Sequence, residues 1–294
     1  MHILVLGVSG MLGNAVFRYL SKQNDLIVTG TLRNSGDLAY FPVDLRRQVI
    51  TGVDVLEQDG VVSLLTKTKP DVVINCIGLI KQLSSANDPL VALPLNALFP
   101  HRLSRLCKLA GARLVHISTD CVFSGRQGNY IETDAPDAED LYGKSKQIGE
   151  LTNEDHSITL RTSIIGHELH SHNALIDWFL TSSGSVKGFT HAIFSGLPTI
   201  ELARVIHNYV LPNNALHGLH HISVDPINKY DLLKLVADVY DKQISLVPSD
   251  DVVIDRSLNS ERFRTATGYQ PYAWPELIQY MHDDYLKTKD LTDV

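Results

Sequence analysis

The sequence predicts an α/β fold: a Rossmann-type, doubly wound parallel sheet followed by a smaller C-terminal substrate-binding part. Three observations point there. Apolar strand-like runs alternate with helix-periodic stretches up to Gly166, a glycine-rich turn joins the first run to the first helix, and the alternation loosens beyond Gly166. Strand, helix and strand repeated in this way imply right-handed crossovers, and so parallel strands with helices on both faces.

HILVLG (2–7) is a continuous apolar run, as a strand buried on both faces requires. MLGNAVFRYLSKQ (11–23) follows, with Leu12, Val16, Tyr19 and Leu20 at helical spacing. LIVTG (26–30) and ITGVDV (50–55) read as the second and third strands, and the next helix ends at Lys69 because Pro70 cannot continue it. DVVINCIG (71–78) is the fourth strand, 94–111 a helix with a proline interruption, RLVHISTD (113–120) the fifth strand and SITLRTSIIG (157–166) the sixth. Further on, 167–185 mixes a loop with an amphipathic helix, 199–211 and 228–240 are helical, and GLHHIS (218–223) is a returning strand. The tail from Asp251, with Ser257, Asn259 and Ser260 as candidate caps, reads as small helices and turns. The expected division is 1–166 for nucleotide binding and 167–294 mainly for substrate binding, laid over the strand ends, with elements near 199–240 packing back on the sheet.

Composition narrows the function classes. The 294 residues are 44% apolar and 20% charged, which excludes disorder over most of the length. Net charge is −7 with no basic block, so nucleic acid is not the expected partner. The cysteines Cys76, Cys107 and Cys121 are odd in number and lack C-x-x-C spacing; neither a disulfide framework nor a metal site is expected. No signal-peptide core and no membrane-length apolar run is present. A cytoplasmic protein off the membrane is expected, with a homodimer left open.

GVSGMLG places Gly7, Gly10 and Gly13 between the first strand and first helix. Small residues let the backbone approach a pyrophosphate, and the helix N-terminus offers free N–H groups to it. The loop, with Ser9, Met11 and Leu12 between the glycines, is therefore the expected phosphate cradle. After the second strand comes Arg33 with no carboxylate before Asp37, which favours NADP(H) over NAD(H), the latter allowed because an exposed arginine can be a bystander. Asp54 and Val55, ending the third strand, are placed near the adenine, with a helix cap as the alternative for Asp54. Cys76, Ile77 and Gly78 complete the cofactor set at the end of the fourth strand.

LYGKSK (141–146) sets Tyr142 and Lys146 one helical turn apart on one face. Alone, that pair is commoner on an ordinary surface helix. Together with GVSGMLG, KPDVVINCIG, ISTDCVFSG, LRTSIIG and SLNSERF, it makes nearly the whole chain resemble the extended short-chain dehydrogenase/reductases, and within them the dTDP-4-dehydrorhamnose reductase branch. The resemblance implies a catalytic set of Thr119, Tyr142 and Lys146, with Asn96 supporting a proton path or, equally, bonding the backbone. Tyr142 would donate the proton, Lys146 would lower its pKa and bind the nicotinamide ribose, and Thr119 would hold the carbonyl oxygen. The implied reaction is NAD(P)H-dependent reduction of the C4 ketone of a nucleotide-activated 4-keto-6-deoxy sugar, in surface polysaccharide synthesis.

Related dehydratases carry a glutamate base where this chain has Cys121, and a thiol of pKa ~8.5 is a poor substitute. Reduction is therefore preferred. The reductases usually carry Tyr there, so Cys121 departs from the family pattern, while Thr119, Asp120 and Cys121 stand as the implied substrate contacts. Epimerisation with a recycled cofactor is one alternative; a regulatory nucleotide-binding subunit, like the partner of methionine adenosyltransferase that this branch resembles, is another. Lys81 and Gln82, at a strand end, are candidate substrate contacts. His167, His170 and His172 form a loop cluster lacking a completed metal set, read as substrate-facing or solvated. His220, His221 and Arg161 are read as structural, and Trp178, Tyr272 and Trp274 as packing or nucleotide-base contacts.

Overall fold

Continuous apolar runs need cover on both faces, and alternation within each strand supplies it. In β1 (His2–Leu6), Leu4 and Leu6 face one core, Ile3 and Val5 the other. The computed structural model describes residues 1–81, 84–169, 171 and 173–292. From β1 the chain runs through α1 (Met11–Leu20), β2 (Ile27–Thr31), α2 (Val43–Arg46), β3 (Val49–Ile50), α3 (Gln58–Thr68), β4 (Val72–Asn75), α4 (Pro89–Ala92), α5 (Phe99–Ala110), β5 (Arg113–Thr119), α6 (Leu141–Ile148) and β6 (Ser157–Thr162). Then follow β7 (Ile164–Ile165), α7 (Leu175–Thr181), β8 (Ser185–Phe194), β9 (Leu197–Pro198), α8 (Thr199–Val205), β10 (Gly218–His221), β11 (Ile227–Asn228), α9 (Lys229–Val239), β12 (Ser245–Asp255), α10 (Glu261–Thr267) and α11 (Trp274–Thr292).

Seven parallel strands form the main sheet in the order β10-β6-β5-β4-β1-β2-β3. The order reverses between β1 and β4, and ligands of such sheets bind outside the strand ends at that point. One face is covered by α3 and α5 through Val61, Leu64, Leu65, Phe99 and Leu103. The opposite face is covered by α1 and α8, and Arg18 on α1 pairs with Asp284 on α11 at 2.8 Å. A second sheet, β11-β8-β12, joins β8 to β12 in parallel and to β11 in antiparallel pairing.

Three elements differ from expectation. The third strand is two residues long, not 50–55, because Gly52 at φ +77° turns the chain and Val53 N bonds Leu32 O outside any strand. The helix over 94–111 is not interrupted: α4 passes through a widened π-turn at Leu93–Leu98 directly into α5. Proline lacks the N–H and crowds the preceding turn, and a wider turn relieves both problems. The tail from Asp251 is neither short helices nor turns at first, since Asp251–Asp255 completes the eleven-residue β12 and α11 runs for 19 residues. Proline at 248 is tolerated because β12 is an edge strand. No helix among the described residues is long and apolar enough to cross a membrane.

Candidate active site

The loop after β1 approaches the end of β4 more closely than side chains allow. Gly7 has φ +82°, and a Cβ there would lie 2.6 Å from Ile77 Cγ1; a Cβ on Gly13 would lie 2.1 Å from Gly7 O. Gly10 is the N-cap of α1 and supplies no side-chain acceptor, and the first turn has no acidic residue, so its N–H groups remain open to an anion. Ser9 and Met11 are half-buried and Gly10 exposed, whereas the Leu12 side chain belongs to the core and offers only backbone. These features fit a dinucleotide's pyrophosphate.

Arg33 is exposed just past β2 and makes no hydrogen bond or ion pair among the described residues. Asp54 does not end a strand as expected. It lies four residues past Ile50, where its Oδ1 accepts a hydrogen bond from Leu56 N at 2.9 Å and shapes the turn into α3, while Val55 is buried beneath that helix. At the end of β4, Asn75 Oδ1 accepts from Ile77 N, and a Cβ on Gly78 would stand 3.5 Å from Asn96 Oδ1 and 3.6 Å from Lys146 Nζ. Burial pushes the Cys76 thiol up to about 12, partly offset by Lys146. The ends of β1 and β4, the π-turn and α6 thus meet around one cleft.

Asn96 directs its whole amide at protein groups. Its Oδ1 accepts from Leu79 N at 2.8 Å, and its Nδ2 donates to Leu79 O at 3.3 Å and Ser145 Oγ at 3.2 Å. This is a backbone clamp that fixes the segment after β4 against α6. Asp140 caps α6 by accepting from Gly143 N at 2.7 Å, and Lys81 pairs with it at 2.6 Å. Lys81 is thereby held at the N-terminal cap of the helix that carries Tyr142.

Thr119 ends β5, buried, with Oγ1 donating to Asp120 Oδ1 at 3.2 Å and accepting from Cys121 N at 3.1 Å. Its hydroxyl lies close enough to the Tyr142 phenol to favour the phenolate. The phenol's pKa is raised, first by burial, then by the negative ends of Cys121, Asp120 and Asp140; Thr119 pulls the other way. That reverses the expected lowering by Lys146. The ammonium of Lys146 is buried and donates to Ile117 O at 2.8 Å, and desolvation brings its pKa from 10.5 to about 8, against the supporting charge of Glu150. Burial also raises the Asp120 carboxyl and pushes the Cys121 thiol up to about 12, which leaves Cys121 protonated and unfit as a base at neutral pH.

Two cations at this cleft escaped sequence reasoning. Arg256, just past β12, donates from Nε to Phe123 O at 2.8 Å and reaches Cys121 Sγ from Nη1 at 3.8 Å. Lys229, opening α9, lies within electrostatic reach of Asp120, Cys121 and Arg256. Neither has a local motif to flag it. The other candidates are placed elsewhere. His167 is held by Asp177 at 2.6 Å and Tyr240 Oη at 2.9 Å and stacks on Tyr285, while His170, His172 and Gln82 lie outside the described residues. Arg161 bonds Glu150 at 2.6 Å and His221 Nε2 at 2.9 Å in the interior. His220 is buried against Phe263, and Trp274 donates to Asp225 O at 2.7 Å. Tyr272 carries Arg204 over its ring, and Trp178 is exposed.

Compared with known proteins, the chain matches over residues 1–286 the family model described as RmlD substrate binding domain. It is 29% identical over 261 residues to methionine adenosyltransferase 2 subunit beta of Danio rerio, covering 84% of this chain and 76% of that protein. It is 25% identical over 284 residues to dTDP-4-dehydrorhamnose reductase of Aggregatibacter actinomycetemcomitans, covering 86% of this chain and 97% of that one. Other curated relatives match over only about half of their own length. Among solved structures, dTDP-4-dehydrorhamnose reductase from Bacillus anthracis str. Ames in complex with NADP shares the fold, with a TM-score of 0.77 at 20% identity, covering 96% of this chain and 99% of that one.

Proposed function

The chain belongs to the RmlD substrate binding domain family, and from that premise we propose that it reduces the C4 ketone of a nucleotide-activated 4-keto-6-deoxy sugar for surface polysaccharide synthesis. The observation that carries this reading is the meeting of Thr119, Tyr142 and Lys146 with the glycine loop at the reversal point of the sheet. Gly7, Gly10 and Gly13 would hold the pyrophosphate of a reduced nicotinamide cofactor, which supplies the hydride. Unpartnered Arg33 beyond β2 favours a 2′-phosphate, hence NADPH over NADH.

Thr119 turns its single hydroxyl proton from Asp120 to the ketone oxygen and polarises it. Tyr142 then delivers its proton to the alkoxide. Its raised pKa makes the phenol a weaker acid, but the phenol is protonated at neutral pH and transfer still runs downhill because an alkoxide is a stronger base than a phenolate. With a pKa of about 8, Lys146 is still mostly charged at neutral pH and keeps positive potential beside the reacting oxygen.

Tyr142→Phe tests the assignment. It should lower kcat by roughly 10²- to 10⁴-fold against a panel of nucleotide 4-keto sugars while leaving cofactor affinity within about twofold; an unimpaired rate would remove Tyr142 from the mechanism. The likeness to methionine adenosyltransferase 2 subunit beta favours a second reading, a regulatory nucleotide-binding subunit. Ketone reduction by the isolated chain, with no partner recovered on pull-down, would dismiss it.

A further inference from the structure

The substrate side of the cleft holds more positive charge than its carboxylates balance. Arg256 is fixed in place from both sides: Asp255 N donates to Gly125 O at 2.8 Å, Tyr130 N to Ser257 O at 2.9 Å, and Arg256 Nε to Phe123 O at 2.8 Å. Its Nη1 end points to Cys121, and no carboxylate among the described residues forms an ion pair with it. Lys229 is half-buried and makes no hydrogen bond or ion pair among the described residues. The start of α9 is tied to the cleft, since β11 pairs with the end of β8 through Ile227 and Phe194, and just beyond β8 Leu197 N bonds Ser163 O at 3.0 Å, past the end of β6. Asp120 interacts electrostatically with both cations, and Asp140, which also feels Arg256, is already paired with Lys81, so two carboxylates face three cations.

A partly desolvated ammonium without an acceptor is costly unless a ligand supplies one. An arginine fork adds geometric selectivity for carboxylate or phosphate, and a lysine adds point charge. We infer that Lys229 and Arg256 form an anion clamp beside Thr119, which takes an anionic oxygen group of the substrate, a carboxylate or a phosphate, close to the reacting carbonyl. The inference rests on the reductase reading for the position of that carbonyl.

The full chain is titrated calorimetrically with dTDP and, separately, with D-glucuronate, as wild type, Lys229→Gln and Arg256→Gln, and each protein is also titrated with NADPH. Each substitution should weaken the recognised probe by roughly 10- to 100-fold with NADPH binding intact. Loss confined to dTDP identifies phosphate, and loss confined to glucuronate identifies carboxylate; either upholds the clamp. A wild type that binds neither probe, or variants that bind both unchanged, overturns it. Should Arg256→Gln fail to fold for want of the Phe123 bond, Lys229→Gln decides alone, since its ammonium has no partner to lose. Lysine-dependent dTDP binding without any ketone reduction would leave the clamp and remove the reaction, so the two readings fail separately.

Discussion

Replacing Glu150 by Gln should disturb both the stability of the protein and the charge of Lys146. Glu150 is 8% exposed and accepts hydrogen bonds from Ser118 Oγ at 2.6 Å, Arg161 Nε at 2.9 Å and Arg161 Nη2 at 2.6 Å. Arg161 is 1% exposed, so removing the carboxylate's charge leaves an uncompensated guanidinium in the interior. Breaking a buried pair in this way costs roughly 3–5 kcal/mol, and glutamine retains one acceptor oxygen, which places the expected loss near 3 kcal/mol. For a chain of this size that is about 6 °C in Tm. Glu150 also supports the Lys146 charge against desolvation, so the variant's Lys146 should lose its proton below the wild-type value of about 8. If kcat/KM of the wild type falls as pH rises through about 8, the falling limb of Glu150→Gln should move to lower pH. Lys146 titrates lower folded than unfolded, so between about 8 and 10.5 the unfolded chain binds more protons and this group's contribution to stability grows with pH. Thermal unfolding and a pH–rate profile on the same preparation are the assay. A variant with wild-type Tm and an unmoved limb would refute the reasoning.

Gly13→Ala brings a Cβ to within 2.1 Å of Gly7 O, so the loop must shift, and NADPH should bind at least ~10-fold more weakly in a fluorescence titration while the fold persists. Arg33→Gln should raise KM for NADPH by roughly tenfold and leave KM for NADH unchanged; equal effects on both would show Arg33 to be a bystander.

Periodicity and motif spacing are local properties, and the features they govern were legible in the chain. Strands buried on both faces read as unbroken apolar runs, which is why β1, β4, β5 and β6 stand out, and the glycines between β1 and α1 announce a close backbone approach. Tyr142 and Lys146 share a helical face because four residues make about one turn. The tertiary structure decided the rest. β12 carries Pro248 and three aspartates, Asp250, Asp251 and Asp255, and is a strand only because β8 pairs with it. Asn96 became a clamp because its acceptor and donor lie 17 residues away on Leu79. Lys229 and Arg256 were brought to Cys121 from stretches more than a hundred residues downstream. Burial set the protonation of Tyr142, Lys146 and Cys121, and desolvation depends on what packs around a group, which no spacing along the chain encodes.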